Sequence, residues 1–104
     1  MSGAPGSQPA PLPRFQTGHV VATPGALHAL RSAGVEPIDI LTRHASLDAG
    51  ELCDEDQRRN DLAVTIGDRI FSSFEVGVGR NATKVWVITE ADRASTCMLL
   101  PQEY

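Results

Sequence analysis

Lysine is nearly missing from this sequence, and its scarcity bears on what the chain can bind. A single Lys stands among nine cationic residues, and the formal net charge is −4. Proteins that coat nucleic acid gain affinity by neutralising phosphates with Lys and Arg, so the composition argues against nucleic-acid binding by the domain as a whole. Arg supplies the other eight cations. Because Arg pairs with carboxylate or phosphate at fixed geometry, the composition is compatible with local basic sites in an acidic chain.

Long apolar runs and local cysteine motifs are absent as well. No run approaches the roughly 20 residues of a membrane helix, and the first residues lack the charged start and apolar block of a secretory signal. Cys53 and Cys97 lie far apart and form no CxxC motif. The sequence permits a disulfide between these two cysteines, but two free thiols are favoured. These observations predict a cytoplasmic protein that does not enter a membrane.

Motifs of metal binding and nucleophilic catalysis are missing too. None of the potential metal ligands falls into the C-x₂₋₄-C or H-x₃₋₅-H spacing with which one segment holds zinc; these are His19, His28, His44, Cys53 and Cys97. The chain has no G-x-S-x-G turn and no Cys with a His nearby in sequence. We therefore expect no metal or other cofactor, and the sequence leans away from an enzyme.

Residues 1–17 are rich in Pro, Gly and Ser and hold four of the seven prolines. Proline removes backbone donors, and few side chains here can be buried. We predict a disordered tail over residues 1–17 and a single domain over residues 18–104. A proline-rich ligand around Pro9, Pro11 and Pro13 is the alternative, although these prolines alternate and do not form PxxP.

The remaining chain changes its hydrophobic period near residue 68, from helical to alternating. The predicted elements are a strand at 19–23, helices at 24–32, 36–44 and 54–64, and strands at 69–76, 84–89 and 94–100. The third helix is polar through two turns, so we expect only its C-terminal half to be buried. This order predicts an α+β fold in which a C-terminal antiparallel three-stranded meander packs on two to three helices. The place of the first strand in the sheet is open.

Arg43 and His44 are the candidate catalytic residues. A metal-independent ribonuclease needs a base for the 2′-hydroxyl and a cation for the phosphorane charge, and an adjacent His and Arg supply both. Arg69, Lys84 or Arg93 could then contact the phosphate. The simpler interpretation is that His44 interacts with the C-terminal end of its helix and that Arg43 is solvated.

Six carboxylates between residues 48 and 61 form a candidate binding patch. A solvated helix face is the simplest interpretation of this cluster. Alternatively, the patch meets a basic partner protein, because clustered negative charge steers association. Its members are Asp48, Glu51, Asp54, Glu55, Asp56 and Asp61.

Aromatic and basic residues also gather in the predicted C-terminal strands. Rings and cations on one sheet face can stack and hold bases, although a small core could use all of these rings. The residues are Phe71, Phe74 and Trp86 with Arg69, Arg80, Lys84 and Arg93.

Several runs resemble a family of small plasmid-related proteins encoded on bacterial plasmids and integrated mobile elements. The runs are residues 20–27 (VVATPGAL), 41–44 (LTRH), 47–52 (LDAGEL), 56–61 (DQRRND) and 86–93 (WVITEADR). The resemblance covers residues 19–104 and implies a bacterial, mobile-element setting, but it carries over no catalytic residue. The order of helices before a meander is also similar to small ribonucleases of the barnase and toxin type.

The leading hypothesis is a non-enzymatic protein-interaction module in the bacterial cytoplasm. Its partner would be a protein, such as a component of a host defence or mobile-element system. The small ribonuclease is the competing hypothesis, and a homodimer formed through an apolar surface is the third.

Overall fold

The computed structural model describes residues 12–48, 50 and 52–104. Its α+β class is the one predicted, and the elements begin and end within two residues of the predicted bounds. In chain order they are β1 (His19–Ala22), α1 (Pro24–Ala33), α2 (Pro37–Ala45), α3 (Asp54–Ile66), β2 (Ile70–Val76), β3 (Thr83–Thr89) and β4 (Ser95–Leu99). Short 3₁₀ turns follow β2 and β4, at Gly79–Asn81 and Pro101–Glu103.

The four strands form one mixed sheet in the order β1-β4-β3-β2. The antiparallel meander of β2, β3 and β4 is confirmed, and β3 is an inner strand. β1, whose place the sequence left open, lies parallel to β4 with Val20 beside Thr96 and Val21 beside Cys97. The sheet is therefore a meander extended by one parallel edge strand.

Local signals explain where the first helix begins and ends. Thr23 caps α1, because its hydroxyl accepts the Ala26 N–H at 3.0 Å, and Pro24 occupies the first turn, where no N–H is needed. Gly34 ends α1 in the left-handed conformation with φ of 71°, which glycine adopts without steric cost.

The core lies between the sheet and the first two helices. Because successive residues of a strand point to opposite faces, β3 sends Val85 and Val87 to the face that α1 and α2 cover, and both are fully buried. We call this the covered face; it packs against Ala26, Leu30 and Ile40. The opposite face, which carries Trp86, is called the aromatic face.

α3 packs against the sheet edge rather than on a face, so its burial avoids the polar first turns, as expected, but covers only two residues of the helix. Asn60 and Ala63 are its buried residues, whereas Leu62 and Ile66 are 56% and 62% exposed. The Asn60 side chain donates to the Phe71 carbonyl at 2.6 Å and accepts the Phe71 N–H at 3.1 Å. The Asn60 amide thus forms with Phe71 the two backbone hydrogen bonds that a neighbouring strand would form.

The last residues of the predicted tail belong to the folded domain. The Arg14 N–H donates to the Ala45 carbonyl at 2.7 Å, and the ring of Phe15 meets the ring of His44 edge-on at 5.2 Å. Thr17 accepts a hydrogen bond from Thr96. The ordered chain therefore begins before the predicted boundary at residue 18, and residues 1–11 of the predicted tail lie outside the described residues.

Candidate functional site

A cleft of about 410 Å³ opens on the aromatic face of the sheet. Its apolar lining consists of Leu52, Phe71 of β2, Trp86 and Ile88 of β3, and the C-terminal Tyr104. Its polar lining consists of Asp56, Arg59 and Asn60 of α3 with Asp68 and Arg69 of the segment that follows. We call it the Trp86 cleft.

Three aromatic rings are arranged edge to face in the Trp86 cleft. The Trp86 ring centroid lies 5.0 Å from that of Phe71 and 5.8 Å from that of Tyr104, with interplanar angles of 80° and 69°. Such T-shaped pairs stabilise one another beyond their burial. Arg69 holds Tyr104 in place, because its guanidinium donates to the phenol oxygen at 3.1 Å. Trp86 remains half-buried, so part of its ring is available to a ligand.

Both cations of the cleft have a carboxylate neighbour. An Arg59 guanidinium nitrogen lies 3.7 Å from a carboxylate oxygen of Asp56, and Arg69 lies 3.8 Å from Glu90. Asp68 accepts the backbone N–H of Arg69 at 2.7 Å. Since two arginines and two aspartates line the cleft, their formal charges cancel.

Two exposed apolar residues of α3 continue the surface beyond the cleft. Leu62 and Ile66 follow Arg59 at i+3 and i+7, so the three share one side of the helix. Because Arg59 lines the cleft, Leu62 and Ile66 extend its wall along α3. We call these two residues the α3 ridge.

The predicted basic aromatic surface is assembled only in part. Arg69 lies in the cleft with Phe71 and Trp86, whereas Phe74 is buried in the core. Lys84 is exposed on the same face as Trp86, one step further along β3.

The two remaining predicted cations lie away from the cleft. Arg80 is exposed in the turn between β2 and β3. Arg93 donates to the carbonyls of Ala63, Asp68 and Glu90, and so joins the end of α3 to the turn between β3 and β4.

His44 lies inside the protein, which contradicts the expectation that it titrates near neutrality at a helix end. Its side chain is fully buried, and burial lowers its pKa from 6.5 to about 4. Arg43 pairs with Asp48 through hydrogen bonds of 2.8 and 3.3 Å. His44 is thus on the covered face, while Arg69 and Lys84 are on the aromatic side. The arrangement does not support the ribonuclease hypothesis.

A chain of buried hydrogen bonds fixes the tautomer of His44. Thr96 donates its one hydroxyl hydrogen to the Thr17 carbonyl at 2.7 Å, so it must accept from Thr89 at 2.6 Å. Thr89 in turn accepts from Nε2–H of His44 at 2.8 Å. In the neutral ring Nδ1 is then the acceptor of the Ser72 hydroxyl at 2.6 Å. We call these five residues the polar chain.

The predicted acidic patch is largely neutralised by arginines. Asp48 pairs with Arg43, whose hydrogen bond lowers the pKa of the carboxyl group, and Asp56 lies near Arg59. Asp61 lies 3.8 Å from Arg14. Asp54 and Glu55 are exposed in the first turn of α3, where carboxylates stabilise the helix. Glu51 lies outside the described residues.

The cysteines are unpaired, and the described residues contain neither a metal-binding cluster nor a membrane-spanning helix. Cys53 and Cys97 are both free thiols, and burial is the main cause of the raised pKa of Cys97. Over residues 12–48, 50 and 52–104, no group of three or more His, Cys, Asp or Glu residues is placed to hold a metal ion. In the same part of the chain, no helix is long and apolar enough to cross a membrane.

Arg59 and Tyr104 are among the cleft residues that sequence reasoning missed. Tyr104 follows the 3₁₀ turn after β4, where Pro101 indicates only that the strand ends. Glu103 anchors this turn, because its carboxylate accepts the Thr23 hydroxyl at 2.6 Å and the Leu100 N–H at 2.8 Å. An aromatic residue soon after a strand-ending proline was the available signal.

Comparisons of the chain with protein-family models, with curated proteins and with solved structures find no match. The resemblance to plasmid-related proteins therefore stays a prediction. A function has to be argued from the residues of the cleft.

Proposed function

We propose that this protein is a non-enzymatic protein-interaction module that binds an uncharged, apolar segment of a partner protein in the Trp86 cleft. The observation that carries the proposal is the partly exposed Trp86 ring, flanked edge-on by Phe71 and Tyr104. Trp and Tyr dominate the binding energy of protein interfaces, because they bring a large apolar area at a small cost in side-chain entropy.

Charge pairing within the cleft selects the chemistry of the partner segment. The cations Arg59 and Arg69 already have carboxylate neighbours, so an acidic peptide or a phosphate would have to compete with Asp56 and Glu90. An uncharged segment leaves these pairs intact. It contacts the rings at the centre while the paired charges stay at the rim, which is the usual distribution of apolar and polar groups in an interface.

The α3 ridge enlarges the surface that the partner covers. Leu62 and Ile66 are more than half exposed, although a large apolar side chain normally gains free energy by leaving water. Adjoining exposed apolar residues are typical of surfaces that bind another protein. The partner is therefore expected to reach from the cleft onto α3.

The resemblance to plasmid-related proteins favours a bacterial setting for this interaction. Within the proposal, the partner is a cytoplasmic component of a host defence or mobile-element system. The module acts by binding a segment of that component in the Trp86 cleft.

Affinity capture with matched variants tests the proposal. The affinity tag is attached at the N-terminus, away from Tyr104, which lines the cleft. Tyr104→Ala removes one ring of the cleft, and Leu62→Glu places a charge on the ridge. Val78→Glu is the control, since Val78 is 81% exposed and lies at the opposite end of the β2–β3 hairpin. Captured proteins are quantified by mass spectrometry from bacterial lysates.

The expected result is a protein held by the wild type and by Val78→Glu but lost, by about tenfold or more, with the other two variants. A peptide from that protein should then change the fluorescence of Trp86, which is the single Trp of the chain. Equal capture by all four proteins, or no specific capture by the wild type, would contradict the proposal.

A further inference from the structure

The two edges of the sheet differ in whether their backbone groups are occupied. At the β2 edge, the Asn60 side chain bonds both the N–H and the carbonyl of Phe71, and Gly50 forms a bridge to Ser73. At the other edge, β1 has β4 as its one neighbouring strand within the described residues. In the described part of the chain, the β2 edge is thus closed at Phe71 and Ser73, and the β1 edge is open.

The hydrogen bonds to β4 show which backbone groups of β1 point outward. The His19 N–H bonds to Ala94 and the Thr23 N–H bonds to Met98. Because hydrogen-bonding direction alternates along a strand, residues 19, 21 and 23 face β4. The N–H and carbonyl groups of Val20 and Ala22 therefore face away from the sheet.

The outward-facing backbone groups of Val20 and Ala22 are spaced so that β1 can pair antiparallel with β1 of a second copy. If two copies of β1 pair about a twofold axis at Val21, Val20 of one copy lies opposite Ala22 of the other. Each of these two pairs exchanges both N–H···O bonds, and the Val21 side chains meet in the non-hydrogen-bonded pair between them. The paired residues Val20, Val21 and Ala22 carry no charge, so no like charges oppose each other.

The side chains of the aromatic face favour the same arrangement. The register places Phe71, Ile88, Cys97 and Val21 side by side across the four strands. This apolar row ends at the sheet edge with Val21, which is 43% exposed. Val21 of a second copy would continue the row and cover that exposed end.

We propose that two copies of this protein associate through their β1 edges, antiparallel and with Val21 on the twofold axis, to form one continuous eight-stranded sheet. The assembly stops at a dimer, because the outer edges are then the two β2 strands that Asn60 and Gly50 close. An isologous contact of this kind leaves no further β1 edge to extend a filament. Two four-residue strands bury little surface, so the dimer is weak and concentration-dependent.

Sedimentation velocity of the full chain over a range from about 10 μM to about 1 mM tests the dimer. Val20→Pro removes an outward N–H without touching the bonds to β4, and edge strands accept proline at such positions. Each dimer loses two hydrogen bonds by symmetry, so the dissociation constant should rise about tenfold or more. Val20→Thr is the matched control, because it keeps the N–H and the β-branched shape, and it should dimerise like the wild type.

Disulfide trapping tests the same contact without a proline substitution. Val21→Cys in a Cys53→Ser, Cys97→Ala background places two thiols at the non-hydrogen-bonded centre, where the separation of the paired residues suits a disulfide. Cys97 is replaced because it lies beside Val21 in the sheet and could form a disulfide with the introduced thiol within one copy. Mild oxidation at a protein concentration at which the wild type dimerises should give a crosslinked dimer, and Val78→Cys in the same background and at the same concentration should give far less. This trap remains informative even if Val20→Pro does not fold.

Three results would overturn the proposal. They are a wild type that stays monomeric throughout the range, a dimer whose dissociation constant Val20→Pro leaves unchanged, and equal crosslinking at positions 21 and 78. A dimer lost with Tyr104→Ala but kept with Val20→Pro would instead place the contact at the Trp86 cleft.

Discussion

Neighbouring residues of β3 face two different environments, and the contrast separates what stabilises the fold from what is available for binding. Val85 and Val87 are fully buried on the covered face, whereas Trp86 between them is partly exposed on the aromatic face. Among the described residues, every buried polar side-chain atom has a hydrogen-bond partner. The covered face, with its polar chain, therefore specifies the folded state, and the aromatic face retains unused apolar area. Substitutions on the covered face should lower stability, whereas substitutions on the aromatic face should lower partner binding and change stability little.

The largest loss of stability is expected from His44→Ala. The substitution leaves a cavity, removes the partner of the Ser72 hydroxyl and removes one of the two partners of the Thr89 hydroxyl. Together, the cavity and the lost hydrogen bonds should cost about 3–5 kcal/mol. Urea unfolding followed by circular dichroism measures the change in the free energy of unfolding. His28→Ala, on the exposed side of α1, is the control and should change it by less than about 0.5 kcal/mol. A similar effect of the two substitutions would show that the polar chain does not stabilise the covered face.

Acid should weaken the covered face through the same residue. The pKa of His44 is lowered from 6.5 to about 4 in the folded state, so between these values the unfolded chain binds a proton that the folded chain does not. Stability is therefore full above pH 6.5 and falls as the pH drops towards 4. At 1.36 kcal/mol per pKa unit, the loss is about 3 kcal/mol.

A His44→Leu variant isolates this contribution in urea unfolding at several pH values. It retains the titrations of the carboxylates but lacks the imidazole, so its free energy of unfolding should change less between pH 6.5 and 4. If the free energy of unfolding depended on pH in the same way in the wild type and in the variant, the acid sensitivity would belong to other groups.

Removing one link of the polar chain should cost less than removing His44. Thr89→Val keeps the shape of the side chain but leaves Nε2–H of His44 without its acceptor, at an expected cost of about 1–3 kcal/mol. Thr65→Val is the matched control on the exposed surface of α3 and should lie within about 0.5 kcal/mol of the wild type. In nuclear magnetic resonance, the wild type should show the proton on Nε2; a proton on Nδ1 would reverse the assigned direction of the chain.

The sequence predicted the elements because their signals are local. Pro24 and Gly34 delimit α1, Gly67 ends α3, and the apolar residues on both faces of the segment 84–89 indicate that β3 is an inner strand. The environment of His44 could not be predicted, because its partners Ser72 and Thr89 come from strands 28 and 45 residues away. Such contacts depend on the register of the sheet, which local patterns do not determine.

The candidate site was predictable only where residues share a strand pattern. Phe71, Trp86 and Arg69 were grouped from the sequence, since they lie in or beside adjacent strands. Arg59 and Tyr104 join them because α3 packs on the β2 edge and the C-terminal turn folds back. α3 takes that position through the buried Asn60, and a polar residue in a polar helix gives no hydrophobic signal that marks it as buried.

The smallest change in stability is expected from Tyr104→Ala, and this variant tests the contrast between the two faces most directly. Tyr104 is 70% exposed, so losing its edge-on contact with Trp86 and its bond from Arg69 should cost less than about 1 kcal/mol. The emission of Trp86 should nevertheless shift to longer wavelength, because water then reaches the ring, while partner capture falls. If Tyr104→Ala destabilised the protein as strongly as Thr89→Val, the aromatic face would belong to the core in energetic terms. The exposed part of Trp86 would then be the edge of a packed cluster, and the case for a binding surface would rest on the α3 ridge alone.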